Sequence, residues 1–207
     1  RFKTAGEYIE NSLKVLKNLN HENFLIVNFD KLSSNSMLRN SQAQTFWYSR
    51  KSFVKMGVLS EIQGTHFHDK RIHSNIHYHS EFRVSQMRIV GQNNRENLLA
   101  AITACKALKV SDTSIQTCIE KFPGIPHRME FVMEKNGVKF YNDAKSENMD
   151  ELTETLKNLK PPIILIAGGR DTEQNYEGYE DIIREKVRLM VLVGECKENM
   201  NRLIGDA

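Results

Sequence analysis

Gly124-Ile-Pro-His-Arg-Met-Glu-Phe-Val-Met-Glu-Lys-Asn-Gly-Val-Lys-Phe-Tyr-Asn-Asp-Ala-Lys-Ser-Glu-Asn148 is the stretch around which the chain divides. Asn136-Gly137 stands between two runs of alternating residues. A type I′ turn needs positive φ at both central positions, and these two residues tolerate that best. A two-residue loop sets Glu134 opposite Lys139, Met133 opposite Phe140 and Val132 opposite Tyr141, one charge pair and two apolar pairs. Hairpin physics accounts for the middle of the stretch only. It does not require Pro126-His127-Arg128 before the first strand, nor the run from Asn142 to Asn148 after the second. Those flanks put Arg128, Asp143 and Lys145 just beyond the ladder, at strand ends, where α/β sheets hold ligands.

Before the hairpin, Pro123-Gly124-Ile125-Pro126 interrupts helical sequence and leads into extended chain, which places a domain boundary at 124/125. After it, Asn148 and Glu151 have capping-box spacing, and Leu152, Leu156 and Leu159 supply the buried stripe of a helix that ends before Pro161-Pro162. Ile163 to Ala167 is a continuous apolar strand leading to Gly168-Gly169-Arg170-Asp171. Tyr179 to Val187 fits a helix, Leu189 to Val193 a second buried strand, and Cys196 to Ile204 a last helix. Alternating strands and helices predict a parallel sheet with right-handed crossovers. Gly168-Gly169 is no dinucleotide fingerprint, because the third glycine is absent.

Upstream, Tyr8 to Leu19 has helical apolar spacing and Phe24 to Val27 is a short strand. Gly91 to Asn97 opens a helix with apolar positions 98, 102, 105 and 108. A second helix follows, capped by Ser111, with Asp112 in its first turn and Ile115, Cys118, Ile119 and Phe122 on its face. Asn94 by itself reads as an N-cap. Residues 31–88 alternate in patches, at Thr45–Arg50, Val58–Ile62, Thr65–His68, Arg71–Tyr78 and Glu81–Val84. They predict short, partly exposed antiparallel strands with a tight turn at His68-Asp69-Lys70.

Five of the seven histidines fall in that region, at 66, 68, 73, 77 and 79, and the pairs 66/68 and 77/79 would each share a strand face. Such imidazoles could bind zinc or copper. With no nearby cysteine, no helical His-Glu-x-x-His and polar residues on both faces, they read as a water-facing hairpin, and no metal ligand is assigned.

The totals are ordinary for 207 residues. Lys plus Arg number 29 against 26 for Asp plus Glu, a net +3 that is too small to argue for nucleic acid or an anionic membrane surface. Cys105, Cys118 and Cys196 are isolated and read as reduced thiols of a cytoplasmic protein. No export signal or spanning run is found. Arg1 lies in a helix lead-in and Gly205-Asp206-Ala207 carries no end signal, so the sequence reads as a fragment.

The hairpin and its flanks resemble the Mur ligases that build the peptidoglycan stem peptide. The likeness is strongest to the D-glutamate-adding branch, whose pattern runs close to P-H-R-M-E-F-V, N-G-V and N-D-S-K-A-T-N. Asn28-Phe29-Asp30 stands near the family's N-x-D-D, and Gly91 to Asn97 near its G-x-H-N-x-x-N, with Asn93 in place of histidine. The resemblance implies an α/β architecture. Residues 1–124 would be the second half of a central ATP-binding domain. Residues 125–207 would be the first part of a Rossmann-like, amino-acid-binding C-terminal domain with a mixed, mostly parallel sheet. The glycine-rich phosphate loop G-x-x-x-x-G-K-[ST] is not in these residues, so the chain alone is expected to be inactive towards ATP.

The resemblance further implies an ATP- and Mg2+-dependent acid–amino-acid ligase. ATP phosphorylates the carboxylate of UDP-N-acetylmuramoyl-L-alanine, and D-glutamate's amine displaces phosphate from the acyl phosphate. Asn94 would contact adenine, Arg128 the phosphates and Asp143 the ribose, while Lys145 would act on the anionic substrate and intermediate. Near the D-glutamate site the family usually has threonine where Glu147 stands and lysine where Thr172 stands. Those two changes shift the local charge by two negative units. The carbamylated metal-binding lysine of the family aligns with Ser12, Lys14 lies two positions on, and the role passes to neither. A cytoplasmic monomer is implied. The alternatives are a folylpolyglutamate synthase-type amide ligase of the same superfamily and a paralogue that binds nucleotide or UDP-sugar without ligating.

Overall fold

A computed structural model describes residues 4–32, 38, 41–56, 62–85, 92–171 and 177–204. Most of the strand expected at Val58–Ile62 lies outside them, as do Gly91 and Thr172. The chain separates into two compact units. One spans Arg1–Arg88 and Asn93–Phe122, and the other is principally Pro123–Ala207.

In the first unit, Thr4 caps α1 (Ala5–Leu13) by accepting the Glu7 N–H at 3.1 Å. The expected long helix then tightens into a 3-10 turn over Lys14–Asn18. A five-stranded sheet follows in the order β1 (Phe24–Asn28), β2 (Gln44–Ser49), β3 (Gly64–His68), β4 (Arg71–Ser74), β5 (Ser80–Arg83). The antiparallel expectation holds for β3–β4–β5 and fails for the first two pairings, since β1, β2 and β3 run parallel. Single-turn helices at Phe29–Leu32 and Phe53–Met56 lie on the two crossovers, and periodicity is mute on so short a turn. The sheet is thus mixed and the unit α/β.

Helices α2 (Gln92–Ala107) and α3 (Asp112–Lys121) cover one side of this sheet. Leu99, Ile102, Ile115 and Ile119 pack on Ile72 and Phe82. Ser111 caps α3 as expected, accepting the Ser114 N–H. Ile102 is buried as expected and Leu98 and Cys105 pack, partly buried, against the same core, but the fully buried face of α2 also takes in Leu99, Thr103, Lys106 and Ala107, and Leu108 is 67% exposed. That widening has a chemical cause. Lys106, only 1% exposed, places its ammonium 2.8 Å from Ser80 Oγ, 2.8 Å from Asp112 Oδ1 and 3.7 Å from the centre of the Tyr78 ring. A lysine this well paired can occupy a core position. On α3 Ile115 and Ile119 are buried, whereas Cys118 and Phe122 are exposed.

The histidines do not face water as a group. His66 is 2% exposed, and neither ring nitrogen has a hydrogen-bond partner. Burial, then repulsion from His73, His68 and His79, lowers its pKa to about 4, so the ring is neutral at physiological pH. His77 and His79 share no strand, because they fall in the connection between β4 and β5. The Asp69-Lys70 turn does form, with φ of 46° and 64°.

In the second unit the hairpin pairs β6 (Glu130–Lys135) with β7 (Val138–Asn142), and Asn136 and Gly137 take φ of 51° and 77°. Glu134↔Lys139 and Met133↔Phe140 match expectation, but Tyr141 faces Phe131, not Val132. Val132 is the extra residue of a bulge, which a register counted out from the turn cannot anticipate. Asn148 caps α4 (Met149–Asn158), accepting the Glu151 N–H at 2.9 Å. The Glu151 carboxylate reaches past the cap to the Glu147 N–H, one residue beyond a standard capping box. β8 (Ile163–Gly169) and β9 (Val187–Gly194) are parallel, joined through α5 (Glu180–Lys186) and followed by α6 (Lys197–Ile204). A Cβ on Gly168 would sit 1.8 Å from the Val193 carbonyl oxygen, so this glycine serves close backbone approach. Met149, Cys196 and Met200 form the core on one side of this ladder. Among the described residues no helix is long and apolar enough to cross a membrane.

Candidate functional site

Both feet of the hairpin are irregular, and each is held by the other. The Met129 N–H donates to Asp143 Oδ1 at 2.8 Å, and the Lys145 N–H donates to the His127 carbonyl at 3.0 Å. Asn142 Nδ2 lies 2.9 Å from His127 Nδ1. Asp143 Oδ2 accepts from the hydroxyls of Ser146, at 2.5 Å, and Thr155, at 2.6 Å, which ties both loops to α4. Asp143 is therefore the hub of the segment, and each of its oxygens already receives a donor. His127 and Met129 take φ of 65° and 48°, uncommon values for these residues, and the cross-loop bonds hold them there.

Around this frame stand the cations. Arg128 is partly exposed, with its guanidinium 3.9 Å from Glu151 Oε1, a distance at which it remains available to a second anion. Lys145 is exposed, and its ammonium forms no ion pair among the described residues. It stands just upstream of the N-terminus of α4, where the helix dipole also favours negative charge. Glu147 is exposed in the same loop. Arg128, Asp143, Lys145 and Glu147 are thus brought together locally, while Thr172 lies outside the described residues.

The first unit contains a separate polar cluster that periodicity did not indicate. It sits past the C-terminal ends of the parallel strands β1 and β2, the position at which α/β sheets bind ligands. Glu96 receives Lys31 Nζ at 3.0 Å, Arg50 Nε at 3.0 Å and Asn28 Nδ2 at 3.3 Å. Asp30 accepts from Ser49 Oγ at 2.7 Å and from the Arg50 N–H at 2.9 Å. Asn28 Oδ1 is buried with no partner, an acceptor left over in an otherwise saturated network. Asn94 lies in the first turn of α2, two residues inside the helix, so it is not the N-cap. Asn28-Phe29-Asp30 and Gly91 to Asn97 were the available signals for this cluster. Ser49 and Arg50 carried none.

Neither cluster forms an all-protein metal cage among the described residues, although magnesium usually needs only one or two carboxylates beside substrate phosphates. Asp30, Glu96, Asp143 and Glu151 are each engaged by donors or cations, and no three carboxylate or imidazole groups converge at either place. The cationic loop of the second unit does suit an anion: a phosphate, a carboxylate, or both.

The family model described as "Mur ligase middle domain" matches residues 1–105, and that described as "Mur ligase, glutamate ligase domain" matches residues 127–207. The UDP-N-acetylmuramoylalanine–D-glutamate ligase of Bdellovibrio bacteriovorus is 32% identical over 210 residues, covering 100% of this chain and 45% of that protein. The same-named protein of Alkaliphilus metalliredigens is 31% identical over 97% of this chain and 43% of its own length. The chain thus spans less than half the length of these relatives. Among solved structures, MurF of Acinetobacter baumannii superposes with a TM-score of 0.65 at 15% identity, over 94% of this chain and 44% of that one. A pseudomurein peptide ligase type C of Methanothermus fervidus gives 0.64 at 17% identity, over 96% and 47%. At such identities these two carry the fold alone.

Proposed function

The chain belongs to the Mur ligase family, and from that premise we propose that it is the part of an ATP-dependent ligase that holds the nucleotide and the incoming amino acid. The reaction is the joining of D-glutamate to UDP-N-acetylmuramoyl-L-alanine in peptidoglycan synthesis. The observation that carries this reading is the braced cationic loop. Asp143 and His127 fix the backbone on either side of Arg128 and Lys145, inside the stretch that matches a glutamate ligase domain.

A carboxylate oxygen of the UDP-linked substrate attacks the γ-phosphorus of ATP, and ADP leaves. The amine of D-glutamate then attacks the acyl carbon, the C–O bond to phosphate breaks, and the nitrogen loses a proton as the amide forms. Every species in this sequence is anionic, so the enzyme's task is positioning and charge stabilisation. Lys145 is free to meet negative charge developing at the acyl phosphate. Arg128, with its planar fork, suits a phosphate. Asn94 would read the adenine edge with an amide that both donates and accepts. Asp143 contributes chiefly by fixing the loop, and a ribose hydroxyl could still reach its remaining lone pairs. Glu147 opposes the dicarboxylate unless Lys145 offsets it, which makes the amino-acid side the place where this protein departs from its relatives.

The test is ADP release by the protein as encoded, supplied with ATP, magnesium, UDP-N-acetylmuramoyl-L-alanine and D-glutamate. Release that requires both substrates supports the reading. Release with the UDP-substrate and a different amino acid would retain the ligase and replace D-glutamate. Absence of release with any amino acid would overturn it.

A further inference from the structure

We propose that the edge of the five-stranded sheet in the first unit is a zinc site, with His73, His79 and Glu81 as ligands and the buried His66 ring beneath them. His73 on β4 and Glu81 on β5 are directly opposite one another, and His79 immediately precedes β5. One ligand atom from each of the three lies within 4.8 Å of the others, and among the described residues this is the one such group of three. His73 Nδ1 stands 3.7 Å from Glu81 Oε1. Arg71 Nη1 holds the other oxygen, Oε2, at 3.1 Å, which leaves Oε1 turned towards the imidazole. Orientation of a ligating carboxylate by such an outer donor is the usual support of a metal site.

A second observation points the same way. His66, 2% exposed, stacks on His73 with ring centres 5.8 Å apart, and both of its nitrogens lack a partner. His73 Nε2 is buried and unpartnered as well. Buried imidazole nitrogens normally find a donor or acceptor, and leaving several orphaned in one place is costly. A cation would give a partner to the one nitrogen of His73 that ligates it and to neither nitrogen of His66, whose ring lies outside the group of three. His68 is excluded as a ligand, since Ser52 Oγ lies 2.9 Å from its Nδ1 and Asp69 3.2 Å from its Nε2.

The donor set selects the ion. Magnesium and calcium require oxygen ligands throughout, whereas two imidazoles and one carboxylate suit zinc and leave a fourth position open. Ligand distances of about 2.0–2.2 Å in a tetrahedron place ligand atoms roughly 3.4 Å apart. The His73–Glu81 pair is already near that value, and the widest separation must close by at most about 1.4 Å, within reach of the exposed side chains of His79 and Glu81. The ion would clamp β4 to the start of β5. This site is independent of the ligase chemistry, because none of its residues belongs to the cationic loop or to the Glu96 cluster.

The experiment is calorimetric titration of the chelator-washed full chain with zinc chloride, alongside H79Q, E81Q and, as a control outside the cluster, H21A. The expected result is one submicromolar site per chain, unchanged in H21A and weakened at least tenfold in H79Q and E81Q. Zinc should also raise the melting temperature of the native chain, while H79Q, which melts with the native chain in chelator, gains nothing from the metal. No saturable uptake, or an affinity in H79Q and E81Q equal to that of the native chain, would overturn the proposal.

Discussion

Lys106 in the first unit is 1% exposed, whereas Ile166 in the second is 72% exposed. Hydropathy would place these two residues the other way round. The first unit closes a mixed sheet under two helices, and it buries Ser49, Thr65, His66, Ser74, Thr103 and Lys106 along with its aliphatic core. In the second unit, Ile164, Ile166, Leu189, Val191 and Val193 lie exposed on one face of the β8–β9 ladder, opposite the face that packs on α4 and α6. The hairpin β6–β7 likewise exposes Phe131, Val132, Met133 and Phe140. Burial therefore follows the number of elements packed around a position, and polarity decides only what that burial costs.

The contrast is broken most directly by truncation. Phe82→Ala should lower stability by about 4 kcal/mol, the cost of a large cavity in a closed core, while Ile166→Ala should change it by less than about 0.5 kcal/mol. Urea denaturation followed by circular dichroism measures both, and equal effects would dissolve the distinction between the units. Lys106→Ala should cost about 3 kcal/mol, because it removes a paired buried charge and leaves a void, while Lys106→Met should recover most of that loss. Failure of the methionine to do so would mean that the ammonium itself, not the filled volume, stabilises the first unit.

Function sharpens the same contrast, since the braced loop of the second unit would contribute little to stability. Lys145→Ala should lower ligase turnover about a hundredfold, the scale of losing one preorganised charge stabiliser, with the urea midpoint unmoved. A shifted midpoint with unchanged turnover would reassign Lys145 to the fold.

The smallest effect concerns pH. Burial alone would raise the pKa of the Asp112 carboxyl. Hydrogen bonds from Lys106, Ser80 and Tyr78, with the attraction of Lys106, outweigh that and hold it below its usual 3.8. Because the folded value lies below the unfolded one, this stabilisation is fully present above about pH 4 and is lost as the pH falls through the folded value. Asp112→Asn should therefore flatten the acid limb of the stability curve without steepening it elsewhere.

Much of the second unit was legible from local rules. The Asn136-Gly137 turn, the Asn148 cap and the alternation of strand and helix after Ile163 all follow from short-range chemistry. The bulge at Val132 was not legible, because it depends on how the strands twist. In the first unit, Thr65–His68 and Thr45–Arg50 were recognised as strands. Their parallel pairing was hidden, since single-turn helices at Phe29–Leu32 and Phe53–Met56 carry no period. The histidines read as solvated because alternation cannot report that Phe53, from a separate element, packs on the His66 ring.

What the sequence by itself determined is therefore local: turns with their φ demands, helix caps, apolar strands and the motif spacing that marks a Mur ligase. These depend on interactions within a few residues of one another. Only the tertiary structure decided that Asp143 would be the hub of the hairpin's feet, that Glu96 would gather Asn28, Lys31 and Arg50, and that His66, His73, His79 and Glu81 would meet at one sheet edge. Each of those groupings joins residues from separate elements, and hydrogen-bond and charge partners at long separation exist only once the backbone has brought them within about 3–4 Å.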